Sequence, residues 1–259
     1  MSKGNRPIVR IAAGLALVGG SALAQAPLTV PQASQRAAVA QTVGVTEISL
    51  VYHRPGVKGR KIWGGLVPYG QVWRAGANEN TTIEFSTPVT VGGKELPAGT
   101  YGLHVVPTEK SWTFALSTVS SAWGSFSYDQ KEDAVRVDAT PEPAPFVEHL
   151  EYTLDDPSAN RVNVTLHWEK LKASFPVEVE TDQLTLASIR RELRGLPRFT
   201  WQGWNQAAQF CLQSKTGIDE GLGWADRSIA LNENMTNLMT KAALLEAKGD
   251  AAQAATLRA

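Results

Sequence analysis

Residues 52–82 have the sequence YHRPGVKGRKIWGGLVPYGQVWRAGANENTT, and this segment separates two runs of alternating apolar and polar residues. It carries five lysine or arginine residues before its first acidic residue, Glu79, together with Trp63, Tyr69 and Trp73. Loops of this length inside a domain are usually functional. The cations and aromatic rings suit an anionic or flat ligand. The alternative is a structural loop, which folds back as a rigid cover and binds backbone carbonyls with its arginines.

All predicted ligand-binding residues lie in this segment. They are Tyr52, His53, Arg54, Lys58, Arg60, Trp73, Arg74, Asn78 and Glu79. His53 and Glu79 lie near the two ends of the loop, where the carboxylate could orient the imidazole and the cations could hold an anion. No catalytic residue is assigned, but His53 and Glu79 are the candidates for an alternative function, an envelope hydrolase. A buried Arg–Glu network that only rigidifies the loop explains the same residues.

Six motifs stand in and after this segment: YHRP at 52–55, KGRKI at 58–62, GLVPYG at 65–70, VWR at 72–74, GANE at 76–79 and LPAGTY at 96–101. Together they resemble a bacterial family, domain of unknown function 2911, over about residues 43–180. The resemblance supports the fold derived below and implies an exported protein. It implies no catalytic or binding residues.

Residues 1–24 have the pattern of an export signal, with three basic residues, an apolar centre at 11–18 and a cleavage site of the small-residue type, Ala22-Leu23-Ala24. The apolar run is shorter than the ~20 residues that a membrane span needs. We therefore expect a signal peptide, a mature protein without a membrane span, and a periplasmic or secreted location. Residues 25–42 are rich in Ala, Gln and Pro, which predicts a flexible tether.

Charge and cysteine content narrow the classes of partner. The chain has 25 basic and 25 acidic residues, and the leader holds three of the basic ones. This balance gives no electrostatic reason for binding nucleic acid or an anionic membrane. A small molecule, a glycan or a protein remains as partner, and no cofactor is expected. The single cysteine, Cys211, cannot form an internal disulfide and is predicted to be a small buried residue.

Alternation with a period of two recurs from residue 43 to residue 180 and is typical of half-buried strands. Ile48 and Leu50 share one face of the first strand. Gly92 and Gly93 suit the positive φ angles of a tight hairpin turn. Eight or nine short strands without helices between them predict a mainly β domain, an antiparallel, jelly-roll-like β-sandwich, over residues 43–180.

The clearest predicted hairpin pairs Leu150 with Leu166 on its core face. The same register places His149 opposite His167, with Glu151 beside them on the polar face. Two imidazoles and a carboxylate could then bind a metal ion. A solvated polar face explains these residues without a ligand, and no metal site is expected.

From residue 181 the apolar period changes to three and four, which predicts an α-helical C-terminal region over residues 181–259. Residues 221–245 resemble one tetratricopeptide-type helix pair. A single repeat cannot stand alone, so the helices must pack on the sandwich, on each other or on a partner. The large apolar residues expected to close a small helical core are Trp201, Trp204, Trp224, Leu231 and Leu238.

The chain contains no nucleophile-elbow serine motif, no phosphate-binding glycine loop and no paired-cysteine or His-Glu-x-x-His metal motif. The leading functional prediction is therefore an exported β-sandwich that binds or interacts with an unknown ligand. Its helical appendage would mediate protein contacts. Enzymatic activity is the less favoured alternative.

Overall fold

The computed structural model describes residues 30–258, so the predicted signal at residues 1–24 lies outside the described residues. The described strands are β1 (Gln35–Val43), β2 (Thr46–Arg54), β3 (Thr82–Phe85), β4 (Val89–Val91), β5 (Lys94–Leu96), β6 (Gly99–Pro107), β7 (Trp112–Ser117), β8 (Asp133–Ala139), β9 (Glu142–Asp155) and β10 (Arg161–Glu178). They form a six-stranded sheet in the order β1-β2-β3-β6-β7-β8 and a four-stranded sheet in the order β5-β4-β10-β9.

The two sheets face each other across one apolar core. The ring of Phe114 on β7 lies 4.9 Å from that of Phe175 on β10, and the ring of Tyr52 on β2 lies 4.8 Å from that of Tyr152 on β9. All four residues are buried. Because each pair joins one sheet to the other and all strand pairs are antiparallel, the predicted antiparallel β-sandwich is confirmed.

The tight turn predicted at Gly92 and Gly93 joins β4 to β5. Both residues have positive φ, 58° and 76°, and Val91 pairs with Lys94 across the turn. A Cβ atom on Gly92 would lie 2.7 Å from Cγ2 of Val137. Glycine is therefore needed at position 92 both for its backbone conformation and for space.

The flexible tether predicted for residues 25–42 is wrong in its second part. Residues Gln35–Val43 form β1, which pairs with β2 along its whole length. Ala37 and Val39 of this strand pack against the core. Alanine and glutamine are not strong strand formers, so the composition gave no strand signal. The strand forms because the edge of β2 offers unpaired backbone groups, which only the folded sheet presents.

The helices are α1 (Thr181–Glu192), α2 (Trp201–Ser214), α3 (Ile218–Leu231), α4 (Met235–Lys248) and α5 (Ala251–Arg258). Local sequence sets several of their ends. Asn234 caps α4 by accepting from the N–H of Asn237, whose side chain accepts from the N–H of Asn234 in return. Gly249 ends the same helix in the left-handed conformation at φ 98°.

The helical region has an apolar core separate from that of the sandwich. Its buried residues include Leu186 of α1, Cys211 of α2, Trp224 of α3 and Leu244 of α4. Among the described helical residues, Leu184 of α1 packs against the sandwich core instead. The first helix therefore links the two cores.

The large apolar residues of the helices are buried to different degrees. Trp224 and Cys211 are buried, as predicted, whereas Trp201 and Trp204 are half-buried. Leu231, which we expected in the helical core, is 47% exposed because it is the last residue of α3, where the chain leaves the bundle.

Candidate functional site

The segment between β2 and β3 folds back onto the sandwich and has an apolar underside. Its buried apolar residues are Val57, Ile62, Trp63, Val67 and Ala75. The indole of Trp63 lies 4.2 Å from that of Trp112 in the core. The backbone of Trp73 exchanges two hydrogen bonds of 2.8 Å with Val105 on β6. The loop is therefore an ordered cover whose conformation is set by burial and backbone pairing.

Two of the loop arginines have structural partners. Arg54 donates from Nε to the carbonyl oxygen of Leu150 at 2.9 Å and from Nη2 to the carboxylate of Glu151 at 3.2 Å. Arg60 donates to two carbonyl oxygens of its own turn, at 3.1 and 2.6 Å. For these two residues the structural explanation of the loop holds, since their donors bind the protein itself.

Arg74 differs from them. Among the described residues, its side chain makes no hydrogen bond and no ion pair, and its buried Nε has no acceptor. Burial lowers the pKa of this guanidinium. Because an unpaired cation removed from water costs free energy, folding stability does not explain this arrangement.

Arg74 lies on the wall of two adjoining clefts. The cationic cleft, of about 430 Å³, is lined by Lys58, Arg60, Leu66, Trp73, Arg74 and Trp168, together with Ala33, Ser34, Pro55, Gly56, Val67, Gly76 and Ala77. The outer cleft, of about 480 Å³, is lined by Gln71, Val72, Trp73, Arg74, Ser125 and Phe126. Trp73 and Arg74 line both clefts.

The cationic cleft combines positive charge with flat apolar surface. Lys58, Arg60 and Arg74 contribute its charge, and none of the described residues that line it is acidic. The rings of Trp73 and Trp168 stack with their centroids 5.9 Å apart at 19°. Such a cleft can hold an anionic group and a planar or apolar group side by side.

The structure divides the predicted ligand-binding residues into two groups. Lys58, Arg60, Trp73 and Arg74 line the cationic cleft. The other five line neither cleft: Tyr52, His53, Arg54, Asn78 and Glu79. Tyr52 points into the core because it lies on the apolar face of β2, where its hydroxyl accepts from the N–H of Tyr152. Asn78 donates from its side chain to the carbonyl oxygen of Ser34 at 3.0 Å.

His53 and Glu79 come together as expected, with Nε2 and Oε2 3.1 Å apart. His53 is 6% exposed, whereas most of the Glu79 side chain is accessible. Burial is the largest cause that lowers the pKa of His53. Glu79 opposes this shift, and Arg36 and Arg74 add to it. The imidazole of His53 is therefore neutral at pH 7 and contacts the exposed side chain of Glu79.

The predicted pairing of His149 with His167 is wrong. Tyr152 lies opposite Leu166, so His167 faces Glu151, and from the turn to His167 the register is displaced by two residues from the predicted one. After His167 the pairing is irregular. A shift of two residues leaves every side chain on its predicted face, so alternation cannot detect it. His149 instead forms a bridge with Gly56.

The polar face of this hairpin is used for contacts within the protein. Nδ1 of His167 lies 3.4 Å from Glu151, which also binds Arg54, and Nε2 lies 2.8 Å from the carbonyl oxygen of Pro145. Within residues 30–258, no group of three or more His, Cys, Asp or Glu side chains is placed to hold a metal ion.

Acidification should destabilise the protein through two buried histidines, His53 and His104. Burial is the main cause that lowers the pKa of each below the usual 6.5, and Asp133 partly opposes it at His104. At a pH between the folded-state pKa and the unfolded-state pKa of each histidine, the unfolded chain therefore binds more protons than the native state. The free energy of unfolding should therefore fall as pH drops through 6.5. Urea unfolding from pH 8 to pH 5 measures this slope.

The double variant His53→Gln, His104→Gln should flatten that pH dependence, since glutamine does not titrate. The exposed Glu109→Gln is the matched control and should leave the slope unchanged. An equal slope in the double variant and in the unaltered protein would assign the pH dependence to other groups.

A model for a family described as Protein of unknown function (DUF2911) matches residues 34–177, which is more than half of the chain. The comparisons of this chain with curated proteins and with solved structures found no significant match. The helices in the part of the chain that the structure describes are too short or too polar to cross a membrane.

Proposed function

The chain belongs to the DUF2911 family of proteins of unknown function, and we propose that it is an exported binding module for a small anionic ligand with a flat apolar part. The expected export rests on the signal-like pattern of residues 1–24. The binding site is the cationic cleft. The observation that carries the proposal is Arg74, a partly buried guanidinium without a partner among the described residues.

A bound anion would supply what Arg74 lacks. Guanidinium groups bind carboxylate and phosphate through two parallel hydrogen bonds, and these are stronger than neutral ones. Lys58 and Arg60 add positive charge on the same cleft. Because Arg60 is held in place by two carbonyl oxygens, its charge is already positioned before a ligand arrives.

The flat part of the ligand would contact the indole of Trp73, which is stacked on Trp168. Trp73 is fixed by a hydrogen bond from Nε1 to the carbonyl oxygen of Gly76 at 3.1 Å. Trp168 is buried and packs edge-on against Trp63 at 6.1 Å. Rigid aromatic walls give contact area at low cost in conformational entropy, so this part of the site favours a planar ring or a sugar face.

Arg74→Met should weaken binding of phenyl phosphate, a probe that joins a planar ring to an anion, by about 10–100-fold. The reason is that a hydrogen bond to a charged group contributes about 1.5–3 kcal/mol. Isothermal titration calorimetry at low salt measures the change. Lys61→Met is the matched control, since it removes the same charge from an exposed position of the same loop that lines neither cleft.

The same variant separates binding from a structural role. Removing an unpaired, partly buried cation should leave the free energy of unfolding unchanged or raise it. An Arg74→Met protein that is clearly less stable and binds phenyl phosphate as before would contradict the proposed function.

A second candidate function is envelope hydrolysis by His53 and Glu79, which the 3.1 Å contact between their side chains favours. Ester, glycoside and phosphate substrates with coloured leaving groups test it. Turnover abolished by His53→Ala or Glu79→Ala would support this function. Turnover that neither change affects would argue against it.

We also propose that the helical region, in which α3 and α4 form one tetratricopeptide-like helix pair, contacts another protein. Leu196 and Phe199, between α1 and α2, are largely exposed. A photoreactive residue at position 199 should cross-link to a second polypeptide in cells. The same photoreactive residue at the exposed position of Gln253 is the control. Equal cross-linking yields from positions 199 and 253 would contradict a specific contact.

A further inference from the structure

A serine and a histidine meet at the outer cleft. Ser125 belongs to the segment between β7 and β8 and lines this cleft. Its Oγ lies 2.9 Å from Nδ1 of His104 on β6. His104 is 2% exposed, and of the two residues it is Ser125 that lines the cleft. A hydroxyl at this distance from an imidazole is the arrangement in which a serine is activated as a nucleophile.

The surroundings of His104 keep it available as a base. Burial is the main cause that lowers the pKa of its imidazole, and Asp133 partly opposes this shift. Asp133 accepts hydrogen bonds from Arg136 at 2.8 Å and from Tyr128 at 2.5 Å, and the ring of Tyr128 packs against His104 at 5.0 Å. The imidazole is therefore neutral at pH 7, where it can accept a proton.

Arg74 adds positive charge beside the serine. Its Nη1 lies 3.5 Å from the position of a Cβ on Gly124, the residue before Ser125, and it lines the same cleft. The guanidinium has no partner among the described residues, so it can stabilise negative charge on the oxygen of an attacked carbonyl group.

We propose that Ser125, His104 and Arg74 form an esterase site in the outer cleft. This activity goes beyond the proposed binding function. The outer cleft and the cationic cleft have only Trp73 and Arg74 in common among their described lining residues. The substrate class is carboxylic esters with a good leaving group. No carboxylate of the described residues is hydrogen-bonded to His104, and a serine–histidine pair without such a partner is too weak a catalyst for amides.

In the first step Ser125 Oγ bonds to the ester carbonyl carbon, and its proton moves to Nδ1 of His104. The carbon–oxygen bond to the alcohol breaks, and His104 returns the proton to the leaving alkoxide. In the second step His104 takes a proton from water, whose oxygen attacks the acyl-serine. The carboxylic acid leaves, and the proton returns to Ser125 Oγ.

A fluorophosphonate probe tests the site in the full-length chain, because it forms a phosphorus–oxygen bond with an activated serine and releases fluoride. We expect one adduct, located at Ser125 by peptide mass spectrometry. Ser125→Ala should remove it, and His104→Gln should slow labelling about 100-fold, which is the size of a general-base contribution. Ser127→Ala, at an exposed serine two residues away, should label normally.

Hydrolysis of 4-nitrophenyl acetate should follow the same pattern, with a burst of nitrophenol from the acyl-serine step. Absence of labelling at Ser125, or labelling that His104→Gln leaves unchanged while circular dichroism shows a folded protein, would overturn the proposal. If Ser125 is labelled but the protein does not bind phenyl phosphate, the esterase site is supported and only the proposed binding function is contradicted.

Discussion

Trp63→Ala should lower the free energy of unfolding by about 3–5 kcal/mol, the usual cost of truncating a buried aromatic residue. Trp63 is 6% exposed, and its indole lies 4.2 Å from Trp112, 6.0 Å from Trp73 and 6.1 Å from Trp168. Alanine would leave a cavity at the centre of this group, because the neighbouring strands can collapse only in part. Urea unfolding followed by circular dichroism measures the loss.

The matched control is Trp123→Ala. Trp123 is 63% exposed and stacks on Phe126 at 5.9 Å, so its removal should change stability by no more than about 0.5 kcal/mol. Trp63→Ala should also weaken phenyl phosphate binding, since Trp73 and Trp168 lose the side chain that holds them. Equal destabilisation by the two substitutions would show that the underside of the loop does not contribute to the core.

Deleting the residues after Thr181 should remove the helical circular dichroism signal and leave a folded sandwich. The helices have their own core, and Leu184 is the described helical residue that packs against the sandwich. The cost to the sandwich should therefore not exceed about 1.5–3 kcal/mol, the value for one large apolar side chain. Thermal unfolding of the truncated chain should remain cooperative.

A longer deletion, after Lys172, is the control for this experiment. It removes the end of β10 with Phe175 and Val177, both fully buried in the sandwich core, and should leave an unfolded chain. If the chain that ends at Thr181 were also unfolded, the sandwich would depend on the helices. The predicted division between residues 43–180 and residues 181–259 would then be wrong.

Alternation alone predicted much of the sandwich. The face of β2, the turn at Gly92 and Gly93 and the change to helices after residue 180 follow from side-chain period and backbone preference, which are local properties. The family resemblance rested on motifs within residues 52–79 and 96–101 and is confirmed by the match over residues 34–177. These features needed no knowledge of which strands pair.

Features that depend on pairing were not predictable in this way. β1 forms because β2 has a free edge with which it can pair. A two-residue shift of the last hairpin keeps every side chain on its predicted face, so the alternation pattern could not reveal the wrong pairing of His149 with His167. The register is a property of the two paired strands, and side-chain alternation within either strand does not contain it.

The same limit applies to the candidate site. The sequence shows that the loop is rich in cations and aromatic rings, but it does not distinguish Arg54, Arg60 and Arg74 from one another. Only the tertiary structure provides carbonyl and carboxylate partners for the first two and leaves the third without one. His104 and Ser125 are 21 residues apart in the chain and carry no motif, so their contact is likewise a product of the fold. Side-chain period determines which face a residue occupies, whereas the residues it meets there depend on contacts between distant segments.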